Sequence, residues 1–218
     1  MALSFDSVRQ GWPSDAPWGP GGSPLFCYAQ GYSESPWRAI LHILFVCTGN
    51  ICRSPTAERL TGAFGRTHNL TELKSTSAGT RAVIGHPIHR EAARVLERLG
   101  GDSSEFVARQ ITTRIASQAD LVLTMTKLHR DAVLELAPHK LHRTYTLVEA
   151  AKLVTDFGAS CYEDLSNLRP LLPVGAELDV KDPIGGDARL FATVGSQIQD
   201  ALSPVLNFCH GLLAASKN

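Results

Sequence analysis

From about residue 40 onward, short and nearly unbroken apolar runs alternate with stretches whose apolar residues recur at helical spacing. Leu41 to Val46 has the pattern of a strand buried on both faces. Pro55 to Thr67 carries Ala57, Leu60 and Phe64 at helical intervals, and Leu73 to Ala78 predicts a second strand. Ala92, Val95, Leu96 and Leu99 predict a helix over 88–99 that stops at Gly100-Gly101. Asp120 to Thr124 predicts a third buried strand, followed by a short helix from Lys127 to Leu136 that ends before Pro138. Arg143 to Leu147 is the fourth strand candidate, and residues 149–180 have no clear period. Apolar residues at 190, 194, 198, 201, 205 and 208 predict a long final helix over 189–211, which Pro204 should kink or split. Strands alternating with helices predict an α/β fold: a single three-layer domain with a four-stranded parallel sheet and helices on both faces.

The first 38 residues differ. They hold all three tryptophans (Trp12, Trp18, Trp37) and five of the twelve prolines. The run Pro17 to Pro24 cannot continue a helix or a central strand. This predicts an N-terminal extension over 1–38, either an irregular tail or an arm whose Trp residues dock, and one folded domain over 39–214. Lys+Arg 21 balance Asp+Glu 21, which argues against a nucleic-acid or polybasic membrane-surface protein. No apolar run approaches the ~20 residues that span a bilayer, and the first residues lack a secretory pattern. The five cysteines, an odd number without CxxC or zinc-finger spacing, predict no disulfide framework, no zinc site and a cytoplasmic location. His86 and His89 flank Pro87 as loop and helix-start residues rather than metal ligands.

Candidate chemistry concentrates between the first strand and the first helix, in Cys47-Thr48-Gly49-Asn50-Ile51-Cys52-Arg53-Ser54-Pro55. Ligands of open parallel sheets bind at the carboxyl ends of strands, and a helix N-terminus there favours an anion. Gly49 and Asn50 tolerate left-handed backbone angles, which let successive N–H groups converge into an anion-binding nest. Pro55 suits the first helical turn. The Lys-Ser/Thr ending of a nucleotide-binding loop is missing; the spacing is Cys-x5-Arg instead. Arg53 can grip two oxygens of a tetrahedral oxyanion, with Cys47 beneath the central atom. A helix N-terminus and a guanidinium favour thiolate over thiol, and Ser54 can donate to that sulfur. These parts suit nucleophilic attack on a phosphate monoester through a phosphocysteine intermediate.

Leu44 to Pro55 resembles the signature of the low-molecular-weight protein-tyrosine-phosphatase family, which includes an arsenate reductase branch. Further landmarks follow in the family's order: Ser77-Ala78-Gly79-Thr80, Ala108 to Thr112, Ala119 to Thr126, and Asp182-Pro183. The resemblance covers about residues 40 to 212. It implies a cysteine-dependent phosphomonoester hydrolase acting on phosphotyrosine proteins or small phosphomonoesters. By the same resemblance Asp182 is the general acid, with Asp187 the local rival that can instead cap the final helix. Asn50 holds the loop in its strained shape, Ser77 supports Asn50, Ser54 assists the Cys47 thiolate, and Cys52 forms a reversible disulfide with Cys47. The backbone of Thr48, Gly49, Asn50, Ile51 and Cys52 binds phosphate. Neither metal nor cofactor is implied, because Arg53 and the loop amides carry the phosphate charge.

The sequence departs from the family in three places. Aromatics usually follow the Asp-Pro step and the Ser-Ala-Gly-Thr motif; Ile184-Gly185 and Arg81 to Ile84 stand there instead. A stacked aromatic pair contributes ~0.5–1.5 kcal/mol beyond its buried area, so weaker phosphotyrosine binding is expected. Phe106 occupies the place of a His that supports the phosphate loop in many members. Two other functions fit the same loop. One is arsenate reduction, whose thioredoxin-coupled relay needs two further cysteines; Cys161 has the place of one but Leu168 that of the other, leaving coupling to an external small thiol. The other is a non-catalytic phosphate-binding module.

Overall fold

The computed structural model describes residues 40–215, so the expected extension over 1–38 lies outside the described residues. Four strands, β1 (Leu41–Cys47), β2 (Leu73–Gly79), β3 (Leu121–Thr124) and β4 (Thr144–Thr146), form one parallel sheet in the order β2-β1-β3-β4. The register pairs Cys47 with Gly79 on one side of β1 and Val46 with Thr124 on the other. The central strand explains its own composition. Its odd residues, Leu41, Ile43, Phe45 and Cys47, enter the larger core, and its even residues Leu44 and Val46 enter the smaller one. A strand with both faces covered cannot alternate regularly with polar residues, hence the nearly unbroken apolar run, interrupted only by the partly buried His42.

The larger core takes side chains from α1 (Arg53–Thr67), α2 (Arg90–Arg98), α5 (Leu147–Thr155) and α7 (Ala188–Ala215). The smaller core takes Ala116 of α3 (Thr113–Gln118) and Val133 of α4 (Lys127–Leu136). His89 caps α2, its ring accepting from Glu91 N–H. Asp187 precedes α7 and accepts from Leu190 N–H at 2.9 Å, the capping alternative raised for it. The split considered at Pro204 does not occur: α7 runs on for 28 residues, about 42 Å at ~1.5 Å per residue. The carbonyl that loses its donor there belongs to Asp200, an exposed residue.

The stretch without a period folds into α5, α6 (Tyr162–Leu168) and a 3-10 turn over Arg169–Leu171. A capping box starts α5: Thr146 Oγ1 accepts from Glu149 N–H at 3.1 Å, and Glu149 Oε2 accepts from Thr146 N–H at 3.0 Å. Arg169 closes this corner with a two-pronged grip on Glu149, at 2.6 and 3.1 Å. Segment 178–180 then crosses the carboxyl ends of β3 and β4. Thr146 Oγ1 donates to Leu178 O at 2.7 Å, Lys127 N–H to Asp179 Oδ1 at 2.9 Å, and Val180 N–H to Met125 O at 2.7 Å. These bonds fix the direction in which the chain leaves toward Asp182.

Candidate active site

The loop from Cys47 to Arg53 joins β1 to α1 at the carboxyl end of the sheet. Neighbouring segments take its carbonyls. Cys47 O accepts from Thr80 N–H, Thr48 O from Arg81 N–H, Gly49 O from Val83 N–H and Ile51 O from His89 N–H, at 2.7 to 3.0 Å. A trans peptide holds N–H opposite C=O, so the amides of Thr48, Gly49, Asn50 and Cys52 point away from those partners, to the opposite side of the loop. Gly79 makes the close approach possible: a Cβ there would stand 2.4 Å from Thr48 O. Asn50 takes φ 55°, the left-handed conformation of a nest. That conformation costs about 1–2 kcal/mol in an ordinary residue. Three hydrogen bonds, each contributing about 0.5–1.5 kcal/mol, offset it. Asn50 Nδ2 donates to Ser54 Oγ at 3.0 Å and Ser77 Oγ at 2.7 Å, and Oδ1 accepts from Arg109 N–H at 2.9 Å.

This network has a direction. The Glu58 carboxylate accepts from Ser77 Oγ at 2.5 Å, so the Ser77 oxygen accepts from Asn50. Ser54 likewise accepts from Asn50, which leaves its own hydrogen for the sulfur of Cys47, 3.0 Å away. Burial pushes the Glu58 carboxyl up, and its bonds to Ser77 and the charges of Arg59 and Arg109 oppose that rise. Cys47 is buried and sits where α1 presents its N-terminus. Cys52 is buried as well. Burial, then the nearby Cys47 and Asp182, push its thiol up to about 12, so it stays protonated.

Arg53 is 4% exposed. One Nη donates to Val180 O at 3.1 Å and the other to Asp182 Oδ2 at 2.5 Å, while its buried Nε has no partner among the described residues. Asp182 is 48% exposed at the mouth of the site. Its other oxygen accepts from Ile184 N–H, and the chain turns back through Gly185 at φ 84°. The sequence therefore placed Cys47, Thr48, Gly49, Asn50, Ile51, Cys52, Arg53 and Ser54 in one loop, and the fold brings Ser77 and Asp182 to it. Phe106 is buried in the larger core, with the Arg59 guanidinium 5.6 Å from its ring. Where the family carries aromatics, Val83, Ile84 and Ile184 are exposed, beside the exposed Arg81 and Lys181.

Three residues of the site escaped the sequence reading. Glu58 lies one turn into α1 and looks like any helix-surface carboxylate. Arg109 acts through its main-chain N–H, and its Nε donates to Ser77 O at 2.8 Å. His129 joins Thr48 to Thr126, its Nε2 2.8 Å from one hydroxyl and its Nδ1 2.8 Å from the other. Burial, then Arg53, hold its imidazole down at about 4, so the ring is neutral. Among the described residues no group of three His, Cys, Asp or Glu is placed to hold a metal ion, and no helix is long and apolar enough to cross a membrane.

A buried sulfur at a helix N-terminus, a cup of amides, a guanidinium and a carboxyl at the mouth define a site for a tetrahedral oxyanion. Residues 42–156 match the low molecular weight phosphotyrosine protein phosphatase family, and the chain belongs to that family. It is 42% identical over 96 residues to a probable low molecular weight protein-tyrosine-phosphatase, AmsI, of Erwinia amylovora; the match covers 44% of this chain and 63% of that protein. Among solved structures it resembles the low molecular weight protein tyrosine phosphatase from T. tengcongensis, with TM-score 0.61 and 27% identity over 77% of this chain and 98% of the other. It also resembles the YwlE arginine phosphatase from Geobacillus stearothermophilus, with TM-score 0.59 and 26% identity over 77% and 91%.

Proposed function

We infer that this chain is a cysteine-dependent phosphomonoester hydrolase whose substrates are phosphotyrosine proteins or small phosphomonoesters. The observation that carries the reading is the seating of Cys47 Sγ, 3.0 Å from Ser54 Oγ in a loop closed by Arg53, with Asp182 on the same guanidinium. In the first step the thiolate attacks phosphorus. The P–S bond forms, the bond to the leaving oxygen breaks, and Asp182 gives that oxygen its proton. In the second step the Asp182 carboxylate takes a proton from water as the water oxygen attacks phosphorus. The P–S bond breaks, inorganic phosphate leaves and the thiolate is restored. Throughout, the amides of the loop and Arg53 stabilise the equatorial oxygens. The unpartnered Arg53 Nε is a donor suited to one of them. Ser54 keeps its hydrogen on the sulfur in both its attacking and leaving roles.

The site roles, the catalytic domain over 39–214 and the cytoplasmic location are part of this proposal, and a reducing compartment suits a working thiol. The likeness to proteins named as phosphatases, AmsI at 42% identity and the T. tengcongensis phosphatase in fold, supports phosphatase chemistry over arsenate reduction and over a non-catalytic module. The exposed aliphatic Val83, Ile84 and Ile184, in place of aromatics, support modest affinity for an aryl group. The test is turnover of para-nitrophenyl phosphate. Cys47→Ser should abolish it and Asp182→Asn should lower kcat by roughly 10²–10⁴. An active Cys47→Ser protein would refute the assignment.

A further inference from the structure

The turn between β3 and α4 touches both halves of the site. It seats the acid arm through Met125 O and Lys127 N–H, which bond Val180 N–H at 2.7 Å and Asp179 Oδ1 at 2.9 Å. In the first turn of α4, directly after it, His129 reaches the phosphate loop, with Nε2 2.8 Å from Thr48 Oγ1. His129 is 7% exposed, and Thr126 Oγ1 holds its other nitrogen at 2.8 Å. Both ends of the ring are therefore tied, one to the residue after the nucleophile and one to the cap of α4.

We propose that His129 is a positioning residue that, through Thr48, sets the Cys47 sulfur against the acid arm that carries Asp182. The sulfur must stand behind phosphorus while the carboxyl reaches the leaving oxygen in front of it. Each group is anchored to the same turn, in addition to the Arg53 bonds to Val180 O and Asp182 and the Met125 N–H bond to Val46 O at 2.9 Å, so the turn's grip on both contributes to the spacing between them. A misplacement of about 1 Å in such a constellation costs about 10²-fold in rate. The acid arm has several main-chain anchors on or near this turn, whereas the imidazole is the side-chain link from the turn to the loop. The inference rests on the cysteine-phosphatase reading above.

The experiment is kcat/KM across aryl phosphates whose phenols run from weakly to strongly acidic. A strongly acidic phenol leaves with little help from a proton, whereas a weakly acidic one needs Asp182. His129→Ala should lose about tenfold or more on phenyl phosphate and only about twofold on the most activated nitrophenyl ester. Thr48→Val, which keeps the loop backbone, should give the same tilt, and His129→Gln should restore most of the loss. In an Asp182→Asn background, removing the imidazole should leave the slope unchanged. A loss of equal size on every ester, no loss at all, or an undiminished tilt without Asp182 would overturn the proposal. Should the wild-type chain hydrolyse none of the esters, or Cys47→Ser hydrolyse them equally well, the phosphatase reading itself fails, an outcome separate from any change of slope.

Discussion

At the scale of single residues, the site is a matter of which atom donates and which accepts. Glu58 can only accept while ionised, and that fact propagates through Ser77 and Asn50 to the hydrogen Ser54 holds toward Cys47. Cys47, Arg53 and the left-handed Asn50 were legible in the sequence because Cys-x5-Arg stands between an apolar strand run and a helix opened by Ser54-Pro55, with Gly49-Asn50, residue types that tolerate left-handed angles, inside it. His129 was not, since a lone His near a helix start carries no periodic signal and its partners lie 3 and 81 positions away. Its titration is a separate check. Burial is the main force that lowers its pKa from 6.5 to about 4; Arg53 and Arg81 push the same way, while Asp182 and Asp179 oppose them. Between those values the unfolded chain binds a proton that the folded chain refuses, so stability falls as pH drops from about 6.5 to about 4. Denaturant titrations should show the stability advantage of the wild type over His129→Gln shrinking across that window. A difference independent of pH would contradict the buried neutral ring.

At the scale of elements, the sheet and its main helices followed from periodicity, and the errors lie where tertiary partners decide. The six residues of α3 are too few to show a period. The start of α5 is signalled by Thr146-x-x-Glu149, but Glu149 is buried because Arg169, twenty residues on, grips it. That corner orients β4 and, through Thr146, segment 178–180. The packing of α7 on α2 is equally specific. A Cβ on Gly195 would stand 2.3 Å from Val95 Cγ1. Val95 is β-branched and inside a helix, so it has no easy rotamer to retreat to. Gly195→Ala gains about 1 kcal/mol of helix propensity but incurs about 1–3 kcal/mol of overpacking. Chemical denaturation should therefore find the variant less stable by up to about 2 kcal/mol. A more stable variant would show that the two helices are not held this close.

At the scale of the whole molecule, the parallel sheet gathers the pieces at one end. Its strand order puts β1 between β2, which brings Ser77, and β3, whose following turn seats the acid arm. Chain segments 47–54, 77–83, 125–129 and 178–182 meet there although up to 135 positions separate them (182 minus 47). The central claim is that the sulfur of Cys47 forms a bond to phosphorus during turnover. Acid quenching of the enzyme during hydrolysis of a phosphate ester, followed by peptide mass mapping, tests it most directly. One phosphoryl group is expected on the peptide that contains Cys47, with more of it in Asp182→Asn when a highly activated ester is used, because hydrolysis of the intermediate then lacks its base. Phosphate on any other residue of a working enzyme, or turnover with no phosphorylated peptide under conditions that trap such intermediates, would contradict it.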